Sequence, residues 1–162
     1  MTDIQNPAPT GFAQHDHSTC VSAGIRSAES ICADRKVQFT PVRRRVLEIL
    51  LESHVALGAY DVLERLAAEG LGSKPPVAYR ALSFLVEQGF AHRIERLNAF
   101  VACTFPDHDH APAFMICRTC NRVAEASTPT DTGFGPLAQD TGFVIEQTVI
   151  EAQGLCPNCA EV

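Results

Sequence analysis

Apolar residues recur at helical spacing through the first half of the chain and alternate, strand-like, through much of the second. From Val21 the positions Ile25, Ala28, Ile31 and Cys32 fall on one face, predicting a helix that ends near Lys36. Phe39-Thr40-Pro41 marks the next start, with Thr40 as N-cap and Pro41 at the first helical position; Val42, Val46, Ile49 and Leu50 then take inward positions. Gly58 to Ala67 repeats the pattern with Val62, Leu63 and Leu66, and Gly70 and Gly72 close it. Ser73 to Gly89 carries Pro75 and Pro76 in its first turn, apolar residues at Ala78, Leu82, Leu85 and Val86, and Gly89 as its stop. Phe90 to Cys103 then alternates about a turn near Leu97-Asn98, as a β-hairpin does. Three helices with short connections, the last exposing Lys74, Tyr79 and Arg80 at its start, followed by a hairpin, spell a winged helix-turn-helix.

Beyond the hairpin the pattern changes. Residues 104–112 are a loop rich in Pro, Asp and His. Ala113 to Cys117 and Val123 to Ala126 read as short strands, and Phe143 to Ala152 as a longer one with Val144, Val149 and Ile150 apolar. Thr130 to Thr141 predicts a poor helix, interrupted by Gly133, Gly135 and Pro136. The expected fold is α+β. A flexible tail covers 1–20, a winged-helix domain 21–104, a hinge 105–112 and a small α/β domain 113–162. The tail contains His15, His17 and Cys20, and the sequence leaves open whether these bind metal.

Charge sharpens the division. The net charge of −6 is unevenly spread: residues 27–97 hold ten Lys/Arg and nine Asp/Glu, whereas residues 98–162 hold two Arg and eight acids. The basic residues thus sit in the half that resembles a nucleic-acid reader. Arg43, Arg44 and Arg45, beside that unit, are candidates for phosphate contact. No apolar run approaches the roughly 20 residues of a membrane span. The first twelve residues lack a basic segment followed by an apolar one, so a cytoplasmic protein is expected. Seven cysteines in that compartment point to metal rather than disulfides.

The candidate chemistry gathers between Cys103 and Glu125, where one thiol, two histidines, a Cys117-x-x-Cys120 pair and a carboxylate fall together. A second pair, Cys156-x-x-Cys159, lies near the end. Two such pairs can close a tetrahedral four-thiolate zinc site, because the two-residue spacer turns both sulfurs toward one ion. The remaining ligand types imply a second, separate metal site. No His-x-Glu accompanies the Cys-x-x-Cys pairs as in a zinc deaminase, and no Ser/His/Asp set, P-loop or Gly-x-Gly-x-x-Gly occurs, so no enzyme is expected.

Taken together, Phe39-Thr40-Pro41-Val-Arg43, Gly58-Ala-Tyr60-Asp, Lys74-Pro-Pro-Val-Ala-Tyr79-Arg80-Ala-Leu82, Glu87-Gln-Gly89-Phe, Leu97-Asn-Ala-Phe-Val-Ala-Cys103, Met115-Ile-Cys117-Arg-Thr-Cys120 and Glu151-Ala-Gln-Gly154-Leu-Cys156-Pro-Asn-Cys159 resemble the ferric uptake regulator family, and within it the zinc uptake regulator branch. The resemblance implies a homodimer in which the C-terminal α/β domain is the dimerisation domain, binding palindromic operator DNA when loaded with metal and repressing uptake genes. It implies two zinc ions per chain. A structural zinc falls on Cys117, Cys120, Cys156 and Cys159, and a regulatory zinc on His92, Cys103, His110 and Glu125. The DNA-reading tyrosine and arginine fall on Tyr60 and Arg80. Two departures stand out: Val77-Ala78 replaces the usual Thr-Val ahead of Tyr79-Arg80, and His108 offers a second hinge imidazole.

A thiolate, two imidazoles and one carboxylate form a borderline-soft set that suits Zn²⁺. The expected function is therefore a zinc-responsive repressor of zinc uptake genes, with no membrane partner and no small-molecule substrate beyond the ion. An iron, manganese or peroxide sensor of the same family, or a zinc carrier that binds no DNA, is the alternative.

Overall fold

In the computed structural model, residues 10–127 and 133–161 are described. Four helices come first: α1 (His17–Arg35), α2 (Pro41–Leu51), α3 (Ala59–Ala68) and α4 (Pro75–Glu87). Thr40 caps α2 by accepting from the Arg43 amide, with Pro41 at the first helical position. Lys36 leaves α1 in the left-handed region, φ 57°. Val46, Ile49 and Leu50 of α2, Val62 and Leu66 of α3, and Leu82 and Leu85 of α4 meet in one buried core, which Ile25, Ala28 and Cys32 of α1 complete.

The wing follows as β1 (Ala91–Ile94) and β2 (Ala99–Ala102), paired antiparallel with Ala91 opposite Ala102. A 3-10 turn at Glu95–Leu97 joins them, and Asn98 takes a left-handed conformation that its short amide side chain tolerates. A second sheet has the order β4-β3-β5, from β3 (Pro112–Cys117), β4 (Val123–Ser127) and β5 (Ile150–Gly154). β3 runs antiparallel to β4 and parallel to β5. Helices α5 (Phe134–Thr141) and α6 (Pro157–Ala160) complete the chain.

Wing and second sheet share a small core of Ile94, Val101, Phe114, Ile116 and Val123. Backbone bonds reinforce it: Ala56 N–H donates to the Asn121 carbonyl (3.1 Å) and Val123 N–H to that of His54 (2.9 Å). At the wing tip the Glu95 and Arg96 amides donate to the Glu151 carboxylate of β5, at 2.6 and 3.1 Å. The two units are thus held against each other at several points around the connector.

Four expectations change. The segment expected to be a flexible tail over 1–20 is structured from residue 10: Thr10–Phe12 forms a 3-10 turn, and α1 starts at His17, not Val21, because Asp16 caps it. Val86 is exposed and Phe84 buried in its place. The helix expected over Thr130–Thr141 begins at Phe134, and residues 130–132 lie outside the described residues. The strand expected over Phe143–Ala152 begins only at Ile150, leaving Phe143 and Val144 in an irregular stretch, 69% and 80% exposed.

Candidate metal centres and candidate recognition helix

Parallel pairing of β3 and β5 sets Cys117 beside Gly154, which brings the two Cys-x-x-Cys turns together. In the first turn Asn121 adopts φ 57° and donates its N–H to the Cys117 carbonyl (3.0 Å). In the second, Cys156 stands at the N-cap of α6 with Pro157 in the first turn. The four sulfurs all lie within 4.8 Å of one another, and Cys120 and Cys156 are 3.8 Å apart. A tetrahedral ion with Zn–S bonds of about 2.3 Å sets its sulfurs about 3.8 Å apart, so the donors fit zinc. The Cys117 thiol is drawn down to about 6 by the Cys156 and Cys120 amides. Cys159 is pushed up to about 12 by its hydrogen bond to Cys156, by burial and by the other thiols. Four thiols packed this closely cannot all ionise alone; a divalent cation removes the conflict.

The second cluster draws on four places in the chain. His92 lies on β1, Cys103 just past β2, His110 in the connector and Glu125 in β4 opposite Phe114. Their ligand atoms also lie within 4.8 Å of one another. Glu125 is at the centre, 5% exposed, the one buried charged residue among the described residues. Its Oε1 is 3.0 Å from His92 Nε2, 2.6 Å from His110 Nε2 and 3.8 Å from Cys103 Sγ, while Oε2 accepts the Thr104 amide at 2.7 Å. Cys103 Sγ is 3.7 Å from His110 Nε2. Tetrahedral zinc would space such N, O and S donors about 3.3–3.6 Å apart, within small side-chain shifts of these values.

Burial would push the Glu125 carboxyl up, but His92, the Thr104 amide and His110 outweigh it and hold it at about 2. Burial and the adjacent carboxylate push the Cys103 thiol well above its usual range. Burial works against a charge on His110, yet the His108 carbonyl and Glu125 raise it overall. His110 and His108 divide their roles: His110 Nδ1 donates to the His108 carbonyl (2.7 Å), which aims Nε2 into the cluster, and the His108 ring is not among the clustered donors.

On the DNA-binding side, α4 begins at Pro75 with Lys74 as N-cap and no side-chain cap bond. Tyr79 is 47% and Tyr60, at the start of α3, 67% exposed. Lys74 and Arg80 are exposed, and their side chains make no ion pair among the described residues. The three arginines of α2 differ. Arg45 is held by Glu48, Glu52 and Glu69, Arg44 pairs with Glu29 and Glu48, and Arg43 reaches the Gln38 carbonyl and stacks over Phe84 at 3.7 Å. Their guanidinium groups are engaged inside the domain.

No protein-family model matches the chain. The zinc uptake regulation protein of Escherichia coli (strain K12) is 41% identical over 140 residues, spanning 85% of this chain and 82% of that protein. The chain belongs to the ferric uptake regulator family, on its zinc uptake regulator branch. A solved zinc uptake regulator complexed with zinc and DNA superposes with a TM-score of 0.83 at 40% identity, covering 87% of this chain and 95% of that one. Holo XcZur gives 0.77 at 32% identity over 91% and 100% of the two chains, and apo XcZur 0.50 at 34% over 88% and 99%. At nearly equal identity, this member of the zinc uptake regulator branch shares its overall arrangement with the holo form.

Sequence reasoning missed His54, a lone histidine in the α2–α3 connection. Its Nε2 lies 3.1 Å from His15 Nε2. No spacing motif links residues that far apart, and only the fold brings them together.

Proposed function

We propose that this zinc uptake regulator family member is a zinc-responsive repressor that binds palindromic operator DNA as a homodimer and controls zinc uptake genes. The observation that carries the reading is the convergence of His92, Cys103, His110 and Glu125, two from the wing, one from the connector and one from the second sheet. When bound, zinc supplies a divalent positive centre that these donors share. His92 and Cys103 approach from the DNA-binding side, His110 from the connector, and Glu125 from β4, so a filled site fixes the angle between the units. In a dimer that angle sets the separation of the two α4 helices, and operator half-sites have a fixed spacing along the groove.

In this reading Cys117, Cys120, Cys156 and Cys159 hold a structural zinc and the His92 cluster a regulatory one, two per chain. Arg80 contacts guanine bidentately, Tyr79 and Tyr60 lie against the DNA, and Lys74 neutralises phosphate. Arg43, Arg44 and Arg45 are candidates for further phosphate contact, and within the chain they also brace the helices through their glutamate pairs and Phe84. The homodimer is supported by an apolar groove of about 400 Å³ lined by Phe134, Leu137, Phe143, Ile145 and Val149, all at least partly exposed in the single chain. In this reading the protein is a cytoplasmic, non-enzymatic regulator. Among the described residues no helix is long and apolar enough to cross a membrane.

Operator binding by fluorescence anisotropy, with DNA from the promoters of zinc uptake genes, tests the proposal. Zinc should strengthen binding where equal iron(II) or manganese does not. Equal response to all three metals would favour another sensor of the family, and no DNA binding a carrier.

A further inference from the structure

A third group of ligand-type side chains stands apart from both clusters, at the start of α1. Asp16 caps the helix, its carboxylate accepting the Ser18 amide at 2.9 Å. That places His17 and Cys20 three residues apart on one face of the first turn, with His15 just ahead of the cap. The ligand atoms of these three residues lie within 4.8 Å of one another, and His15 Nε2 is 3.2 Å from Cys20 Sγ. His54 adds a fourth donor, its Nε2 3.1 Å from His15 Nε2 and its ring centroid 4.9 and 5.1 Å from those of His15 and His17. His17 Nδ1 is buried without a hydrogen-bond partner among the described residues. Three imidazoles and a thiol packed together, one ring nitrogen buried and unmatched, form a donor set suited to a cation.

We propose that His15, His17, Cys20 and His54 form a third zinc site that clips the N-terminal segment onto the DNA-binding domain. The donor set is borderline-soft, which favours Zn²⁺ and disfavours Mg²⁺ or Ca²⁺.

The location gives the clip a regulatory consequence. The His54 carbonyl holds the Val123 amide of β4. Just upstream, the Thr10–Phe12 turn lies so close on β4 that a Cβ on Gly11 would meet the Val123 carbonyl oxygen at 2.3 Å. A cavity of about 260 Å³ is lined by Cys20 and His54 as well as by Cys103 and Glu125. Filling the third site therefore steadies the same wing-to-sheet arrangement that the regulatory cluster bridges. The clip adds to the proposed zinc response without depending on it.

The test uses the full-length protein, saturated with zinc, freed of excess by gel filtration and analysed for zinc per chain. Three ions are expected in the native protein and two in both Cys20→Ser/His54→Ala and His17→Gln, with the helical circular dichroism and the dimer retained. Zinc should also slow proteolysis between residues 10 and 20 in the native protein but not in the variants. Equal zinc per chain in the native protein and in the variants, at whatever total, overturns the proposal. Operator binding, assayed separately, reports on the repressor reading, so either idea can fail alone.

Discussion

Replacing Glu125 by alanine separates holding zinc from responding to it. Glu125 is the cluster's only donor on the second sheet, whereas His92, Cys103 and His110 lie on the wing or connector. In Glu125→Ala three donors remain, enough to retain a more weakly bound ion, but nothing ties that ion to β4. The Thr104 amide, which donates to Glu125 at 2.7 Å, loses its acceptor at a cost of about 1–3 kcal/mol. That cost falls on the closed arrangement, because the bond crosses between the two units. Coupling between effector and DNA of about 1–3 kcal/mol amounts to roughly 5–150-fold in operator affinity in the native protein. With the differential contact gone, an ion that binds open and closed forms equally shifts neither, and the zinc response should fall to about twofold or less. Glu125→Gln keeps an acceptor for Thr104 and should recover stability more than response. The assay is anisotropy on a labelled operator at fixed salt, with and without zinc, in protein that retains its four-cysteine ion. A Glu125→Ala variant that still gains tenfold or more from zinc refutes the bridging role.

Three further outcomes follow from the same geometry. Stripping the four-cysteine site with a strong chelator should unfold the second domain and dissociate the dimer, because zinc binding of about 10–16 kcal/mol rivals the stability of a whole small domain; circular dichroism and sedimentation would read it, and an unchanged dimer would contradict it. Arg80→Ala should lose about 1–3 kcal/mol on operator and relax preference at one base pair, while Lys74→Ala should weaken operator and random DNA alike; equal losses on both DNAs for Arg80→Ala would remove it from base reading. Apparent zinc affinity at the His92 cluster should rise with pH, since the Cys103 thiol, lifted by burial, and the raised His110 must give up protons to bind; calorimetry in buffers of different ionisation enthalpy should show net proton release, and uptake would reverse the assignment.

Much of this architecture was legible in the chain because local chemistry and fold agree. Thr40-Pro41 and the apolar faces of α2 and α3 read as helices, and the two Cys-x-x-Cys turns read as one site. The donors proposed as regulatory were different: residues 92, 103, 110 and 125 share no spacing rule, and resemblance rather than periodicity brought them forward. Where the reading slipped, a physical reason is visible. The stretch at 143–149, with Phe143, Val144, Ile145 and Val149, looks like a strand, but these side chains are exposed in the single chain, and periodicity cannot tell a core from an outer face. At the N-terminus, His and Asp residues read as a loose tail, while Asp16 is in fact a helix cap. Three adjacent arginines suggested phosphate, and the fold adds partners that the pattern did not show: Glu29, Glu48, Glu52 and Glu69 pair with two of them, and Arg43 lies on Phe84.

The central claim is that zinc shared between wing and sheet fixes the distance between two reading helices. It is tested most directly by electron–electron spin distances between labels carried on an unnatural residue at the exposed Ser83 position of α4 in both protomers. Loading the His92 cluster of dimer that already holds its four-cysteine zinc should collapse a broad distribution to one narrow distance. A distribution indifferent to that zinc, in protein whose operator binding still depends on it, would contradict the account.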